Sequence, residues 1–120
     1  MSGHQPWNSV HLIADLNGGK GLDDADLIER ILRRAAAAAG AKVLEVRLHS
    51  FGEGQGVTGI ALLAESHISI HSWPEDAFAA IDIFVCGATC KPEAALAVIA
   101  EGLQAQVGHS QRVRRGIRSA

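Results

Sequence analysis

Residues 57–85 read VTGIALLAESHISIHSWPEDAFAAIDIFV, and this stretch decides the fold. It contains three apolar runs of strand length, which are Val57–Ala64, Ser66–Ser72 and Phe78–Val85. In the middle run, Ile68 and Ile70 alternate with polar residues, which is typical of a strand with one buried face. Pro74 marks the break before the third run, since proline cannot donate a hydrogen bond within a sheet. The stretch therefore predicts three consecutive β-strands.

One helix is predicted on each side of this stretch. Asp23 or Asp24 can cap the first helix, and Gly40 is suited to end it. Pro92 suits the first turn of a second helix over residues 93–104. The apolar stripes are Leu27, Ile28, Ile31, Leu32, Ala35 and Ala39 in the first helix, and Ala94, Ala95, Val98, Ile99 and Leu103 in the second.

Two more strands and a short last one complete the prediction. Val10–Leu16 and Lys42–Phe51 are strand-like, and in the latter Leu44, Val46 and Leu48 share one face by alternation. The short strand follows the second helix. This order of elements predicts an α+β fold, a two-layer sandwich with two helices on one face of a mainly antiparallel sheet.

Composition is that of one small domain. A chain of 120 residues buries about two-thirds of the surface that its unfolded form exposes, which supports one core. Its formal charge of −2 gives no general attraction to nucleic acid or anionic membranes, and no apolar run approaches the ~20 residues of a spanning helix. No basic segment followed by an apolar one opens the chain, which favours a cytoplasmic location with Cys86 and Cys90 as thiols.

Glu65, Ser66 and His71 suit a peptide that cuts itself. A serine hydroxyl can attack the preceding carbonyl and convert the amide into an ester, if strain and hydrogen-bond donors favour the tetrahedral intermediate. A base such as His71 can then take the serine α-proton, so that the ester leaves by β-elimination and a dehydroalanine remains. Hydrolysis yields a pyruvoyl group, whose ketone can form a Schiff base with a substrate amine and accept electrons as carbon dioxide departs.

The run GVTGIALLAESHISIHSWPE at residues 56–75, followed by AAIDIFVCG at 79–87, closely resembles the bacterial S-adenosylmethionine decarboxylase proenzymes. The likeness spans about residues 9–107. It implies one domain over residues 1–120 that cleaves itself into a β chain of residues 1–65 and an α chain of residues 66–120. Ser66 would become the pyruvoyl cofactor, and Glu65 would end the β chain. The resemblance further implies a homodimer that serves polyamine synthesis.

The resemblance also implies roles for five further residues. His71 falls at the family's processing histidine, and Thr58 at the hydroxyl that assists the acyl shift. Cys86 falls at the catalytic acid that protonates the substrate carbon, a task that suits a thiol with an unperturbed pKa of ~8.5. Glu75 matches the glutamate that holds the ribose hydroxyls, and Phe51 matches the aromatic that stacks on adenine.

The substrate side departs from the family pattern. The loop Gly52-Glu53-Gly54-Gln55 is one residue longer than usual and lacks the common proline, while Phe78 and Val85 replace a frequent tyrosine and threonine. An added acid such as Glu53 could pair with an ammonium or guanidinium group, although a solvated loop position is commoner. Ornithine or arginine therefore stays open as the substrate of a pyruvoyl decarboxylase, as does an uncleaved binding module.

Strand alternation raises a difficulty for the cleavage site. Ser66 and His71 are five residues apart, so a regular strand sends them to opposite faces. A bend, a bulge or the chain break itself is needed to bring them together.

Other motifs are weaker. Residues 54–59, GQGVTG, match a dinucleotide-binding pattern but precede a strand instead of a helix. His67 and His71 form H-x-x-x-H without an obvious third ligand, so we expect no metal. Trp73 and Phe84 are expected in the core. Four arginines near the C-terminus suggest a solvated basic surface; these are Arg112, Arg114, Arg115 and Arg118.

Overall fold

The structure, a computed structural model, describes residues 8–87 and 89–116. Within those residues the chain forms a six-stranded sheet in the order β2-β3-β4-β5-β1-β6, in which all neighbours are antiparallel, and two α-helices. The strands are β1 (Ser9–Gly18), β2 (Val43–Ser50), β3 (Val57–Leu63), β4 (Ser66–Trp73), β5 (Phe78–Cys86) and β6 (Ala105–Arg115). The helices are α1 (Ala25–Ala39) and α2 (Pro92–Gly102), and a 3-10 turn spans Pro74–Asp76. This architecture confirms the predicted α+β sandwich.

Both helices pack on the same face of the sheet. Along β5, the residues that face the helices are buried and those between them are only partly buried. The core between the two layers includes Leu16, Ile28, Ile31, Leu32, Ile68, Ile70, Ile81, Ile83, Ile99 and Leu103. The other side of the sheet, which bears residues 67, 69, 71 and 73 of β4 and 78, 80, 82, 84 and 86 of β5, is called the open face below.

The predicted signals at the ends of α1 operate as expected. The Asp24 carboxylate accepts a hydrogen bond from the backbone N–H of Leu27 at 3.0 Å, which caps the first turn. Gly40 ends the helix at φ 81°, a left-handed conformation that glycine adopts without steric cost. Pro92 opens α2 as predicted, but the helix ends at Gly102, two residues early, and Ala94 and Val98 are only half-buried.

Two predictions about strands are wrong. Leu44 does not share the face of Val46 and Leu48: it is 62% exposed while they are half-buried, because the pairing register of β2 shifts between Val43 and Glu45. A bulge of this kind changes the phase of alternation. The last strand is not short: β6 pairs with β1 along its whole length and carries Arg112, Arg114 and Arg115. Its side chains are mostly exposed at the sheet edge, so they show little hydrophobic periodicity.

Phe84 and Trp73 do not lie in the core. Both side chains lie on the open face, where Phe84 is half-buried and Trp73 is 41% exposed. Arg118, one of the four arginines near the C-terminus, lies outside the described residues. Among the helices of the described chain, none is both long and apolar enough to cross a membrane.

Candidate active site

The bond between Glu65 and Ser66 lies at the end of a tight turn. Ala64 and Glu65 connect β3 to β4, and Leu63 pairs with Ser66 across the turn. Glu65 has φ 67°, a left-handed conformation that costs a non-glycine residue about 1–2 kcal/mol. Strain at this peptide favours attack on its carbonyl by the serine hydroxyl, and the turn supplies that strain.

A hydrogen-bond donor lies at the same peptide. The Cys86 thiol, at the end of β5, donates to the carbonyl oxygen of Glu65 with an Sγ–O distance of 2.9 Å. The Ser66 hydroxyl donates to the carbonyl of Ala64 at 3.3 Å, so it points back along the turn. Glu65, Ser66 and Cys86 are therefore together, and we call them the cleavage group.

The environment of Cys86 favours the neutral thiol. Burial raises the pKa of Cys86 above its ordinary value, and the nearby Glu65 carboxylate adds to the effect. A raised pKa keeps the proton on sulfur at neutral pH. Cys86 can consequently donate a hydrogen bond to a carbonyl oxygen or a proton to a carbanion.

Thr58 and His71 form a pair at the other end of the open face. They are directly opposite in the β3–β4 register, and their Oγ1 and Nδ1 atoms are 3.2 Å apart. Thr58 is half-buried and His71 is exposed. His49 of β2 lies opposite Thr58 on its other side, with its ring edge-on to Phe51 at a centroid distance of 4.5 Å.

A groove of about 380 Å³ adjoins this pair. It is lined by Phe51, Gln55, Gly56, Thr58, His71, Ser72, Trp73 and Glu75. Phe51 and Trp73, which are 62% and 41% exposed, present two aromatic rings, and Glu75 presents a carboxylate. This combination suits a ligand with a flat ring and hydroxyl donors. Phe51, Thr58, His71 and Glu75 are brought together here, and we call them the groove group.

Trp73 and Gln55 are groove residues that sequence reasoning missed. Trp73 could have been found from strand alternation. It is an odd number of residues from the buried Ile68 and Ile70, so it lies on the opposite face and its side chain points away from the core. Gln55 belongs to the loop before β3, where alternation gives no signal. Glu53 of the same loop is exposed and is not among the lining residues.

The floor of the groove is held by a buried serine. Ser72 is 5% exposed; its hydroxyl accepts from the N–H of Val57 at 2.9 Å and donates to the carbonyl of Leu22 at 2.6 Å. Gly56 approaches it so closely that an added Cβ would lie 2.2 Å from the Ser72 carbonyl oxygen. These contacts fix β3 and β4 at the level where they carry Thr58 and His71.

The cleavage group and the groove group do not meet within one chain. Between the pairs Thr58–His71 and Leu63–Ser66, the β3–β4 ladder continues for five residues without a shift, which is about 17 Å. A bend and a bulge, two of the three expected ways to bring Ser66 and His71 together, are absent from β4, so those two predictions are wrong, while the third, the chain break itself, stays a prediction. One uncut copy of the chain holds the two halves of the predicted site at opposite ends of the sheet.

The competing motifs have no support in the geometry. His67 and His71 are on a strand, where four residues span about 13 Å, so their side chains are too far apart to share one ion. In the described residues, no three His, Cys, Asp or Glu side chains are grouped as a metal site would require. The GQGVTG motif leads into β3 and not into a helix.

Comparison with known proteins is consistent with this arrangement. The profile of the S-adenosylmethionine decarboxylase family matches residues 10–116. An S-adenosylmethionine decarboxylase proenzyme of Parasynechococcus marenigrum is 54% identical over 71% of this chain and 66% of its own length. A proenzyme of the same name from Methanococcus maripaludis is 44% identical over 89% of this chain and 88% of its own. The crystal structure of the adenosylmethionine decarboxylase of Aquifex aeolicus superposes with a TM-score of 0.82 at 32% identity, covering 94% of each chain.

Proposed function

Since this chain belongs to the S-adenosylmethionine decarboxylase family, we propose that it is a self-processing, pyruvoyl-dependent carboxy-lyase acting on S-adenosylmethionine. Its product would be decarboxylated S-adenosylmethionine, the aminopropyl donor of spermidine synthesis. The observation that carries the proposal is the Cys86 thiol, which donates to the carbonyl of the strained residue before Ser66.

Cleavage begins when the Ser66 oxygen attacks the carbonyl carbon of Glu65. The thiol of Cys86 already donates to the oxygen that becomes negative in the tetrahedral intermediate, which is how an oxyanion donor lowers a barrier. The bond from that carbon to the Ser66 nitrogen then breaks, leaving an ester. His71 takes the Ser66 α-proton, the bond from Cβ to Oγ breaks, and the Glu65 carboxylate departs as the end of the β chain. Water converts the dehydroalanine to a keto terminus and releases ammonia.

The residues around Ser66 fit a pyruvoyl terminus. A keto group there would supply an electrophile for the substrate amine and an acceptor for the electrons released when carbon dioxide leaves. Cys86 stays beside this terminus at the end of β5, and burial, which raises its pKa, keeps it able to donate a proton. It would protonate the substrate carbon after the carboxylate is lost.

The groove supports S-adenosylmethionine over a basic amino acid. Phe51 and Trp73 offer aromatic faces to an adenine ring, and Glu75 offers a carboxylate to two ribose hydroxyls. Ornithine and arginine have no aromatic ring to stack between them. Glu53, the residue that could have favoured a substrate ammonium, is not part of the lining.

A homodimer joins the two halves of the site. A two-fold axis between two facing sheets, crossing the strands at the level of Ser69, reverses the strand direction of the second copy. The cleavage group of one copy then faces the groove group of its partner. The open face suits such a contact because it carries the exposed apolar side chains Ile13 and Leu62 and the half-buried Phe84.

Mass spectrometry under denaturing conditions tests the cleavage step. The wild-type chain should yield one fragment ending at Glu65 and one whose N-terminus is blocked by a keto group. Ser66→Ala should give only the intact chain, and Ser69→Ala, the matched change of a serine on the same strand, should still be cut. An intact wild-type chain would favour the binding module instead.

A decarboxylation assay tests the substrate. Processed protein should release carbon dioxide from S-adenosylmethionine and much less from ornithine or arginine. Release from either basic amino acid alone would overturn the substrate assignment while leaving self-cleavage in place.

A further inference from the structure

A cluster of polar and aromatic side chains on the open face plays no part in the chemistry described so far. Asp82 of β5 receives a hydrogen bond from the His11 Nε2 of β1, and its other oxygen lies 3.5 Å from the His67 Nε2 of β4. The ring of His67 stacks on Phe84 at a centroid distance of 5.6 Å and an interplanar angle of 24°. Three strands are thus joined through one carboxylate.

The position of His67 gives this cluster its significance. His67 is the residue that follows Ser66, so after cleavage it is the second residue of the α chain. In the uncut chain the turn of Ala64 and Glu65 holds Ser66 against Leu63. Cleavage removes that covalent connection and turns an internal position into a strand end, and strand ends fray unless something holds them.

We propose that Asp82 and Phe84 anchor the new N-terminus of the α chain by holding the imidazole of His67. The inference rests on the proposed function, because it concerns the chain after it has cut itself. His11 holds the carboxylate from the far side, so Asp82 is itself fixed. The side chains of Asp82, His67 and His11 are 37%, 34% and 23% exposed, which leaves the contacts partly shielded from water.

The role is one of positioning. Neither Asp82 nor Phe84 contacts the scissile peptide in the described contacts, yet both hold the neighbour of the residue that carries the keto group. Catalysis requires this terminus to stay within reach of Cys86, whose strand β5 also carries the two anchoring residues. A loosened terminus would lower turnover while the side chains that line the groove, such as Phe51, Trp73 and Glu75, stay unchanged.

The proposed anchor differs from ordinary structural support because its contribution becomes large only after cleavage. Before cleavage the turn and the anchor both restrain residues 66 and 67, so loss of the anchor has little effect. After cleavage the anchor acts without the turn. Removing the carboxylate should therefore loosen the cut chain much more than the uncut one.

Hydrogen exchange in two backgrounds tests the coupling. Asp82→Asn is made in the self-cleaving chain and in the uncut Ser66→Ala chain, and exchange is followed in the peptide that begins at residue 66. We expect about tenfold faster exchange in the cut chain only, the effect of losing one close contact between the imidazole and the carboxylate. In the cut enzyme kcat should fall by a similar factor while KM stays near its wild-type value.

Two further variants sharpen the result. Asp15→Asn removes a carboxylate from β1 on the same face, at the level of His71 instead of His67, and should change neither exchange nor kcat. Phe84→Leu removes the stacking ring and should give the pattern expected for Asp82→Asn. It replaces Asp82→Asn as the test if the latter folds poorly.

Several outcomes would overturn the anchor. Equal acceleration in both backgrounds would indicate general support of the sheet, and no acceleration in either would remove the basis of the idea. A block of cleavage by Asp82→Asn would mean that the carboxylate acts before the bond breaks. A wild-type chain that stays uncut would overturn the proposed function and this inference with it.

Discussion

Mixing two inactive variants should restore cleavage. Ser66→Ala removes the nucleophile and His71→Ala removes the base, so each variant alone should remain intact. If each site takes Ser66 from one copy and His71 from its partner, a mixed dimer contains one site in which both residues are wild-type. Random pairing at equal expression makes about half of the dimers mixed. About half of the His71→Ala chains, and none of the Ser66→Ala chains, should then be cut.

The structure supplies the reason for this expectation. Ser66 and His71 of one chain are separated by five residues of uninterrupted β4, about 17 Å, whereas a proton transfer requires about 3 Å. No side-chain rotation covers that difference. In the proposed dimer, a second copy that faces the first with its strands reversed would bring its own His71 to the level of the scissile bond.

The assay is denaturing mass spectrometry of the co-expressed pair, because the two variants differ in mass and the fragments identify the chain that was cut. A matched control combines Ser66→Ala with Cys86→Ala. Both residues belong to the cleavage group of one chain, so no mixed site is complete and decarboxylation should not return. If His71→Ala chains stay intact in mixed dimers, the shared site is refuted.

Three other predictions concern single residues. Cys86→Ala should slow cleavage and abolish most turnover. Wild-type activity should persist as pH rises past ~8.5, because burial raises the pKa of Cys86 and the thiol loses its proton only above the ordinary value; an alkaline limit below ~8.5 would contradict this. Phe51→Ala should raise KM for S-adenosylmethionine about tenfold with a smaller change in kcat, and a change in kcat alone would argue against stacking. Ser72→Ala should lower the free energy of unfolding in urea by about 1–3 kcal/mol in the uncut Ser66→Ala chain, since two buried backbone groups lose a partner, whereas Ser69→Ala should cost less than about 0.5 kcal/mol.

Local patterns in the sequence predict the elements of this fold well. The alternation of Ile68 and Ile70 predicts β4, and Asp24 and Gly40 predict the ends of α1, because each signal depends on nearby residues. Leu44 and β6 are the exceptions. The bulge in β2 changes which side chains share a face, and no residue type in the sequence marks it. The edge strand β6 is exposed on both faces, so it has no alternation of apolar residues to detect.

The candidate site is less accessible from sequence because it depends on register. The spacing of Ser66 and His71 does indicate opposite faces, but the remedies inferred from it, a bend, a bulge or the chain break itself, all lie within one chain. The contact of Thr58 with His71 depends on how β3 pairs with β4, and the contact of Cys86 with the Glu65 carbonyl depends on how β5 lies beside the turn. Neither pairing is encoded in residue spacing within a single strand.

Separation of the two groups predicts the order of events during maturation. In a single copy the Cys86 thiol donates to the strained Glu65 peptide, but His71 of the same chain is about 17 Å from Ser66, so we expect attack to reverse without loss of the serine α-proton. If the irreversible β-elimination requires a partner's His71, assembly precedes the break, and the open face is covered before the turn is lost. A terminus formed in this order would be enclosed by the second copy from the start, where Cys86 and the proposed His67 anchor would hold it for catalysis.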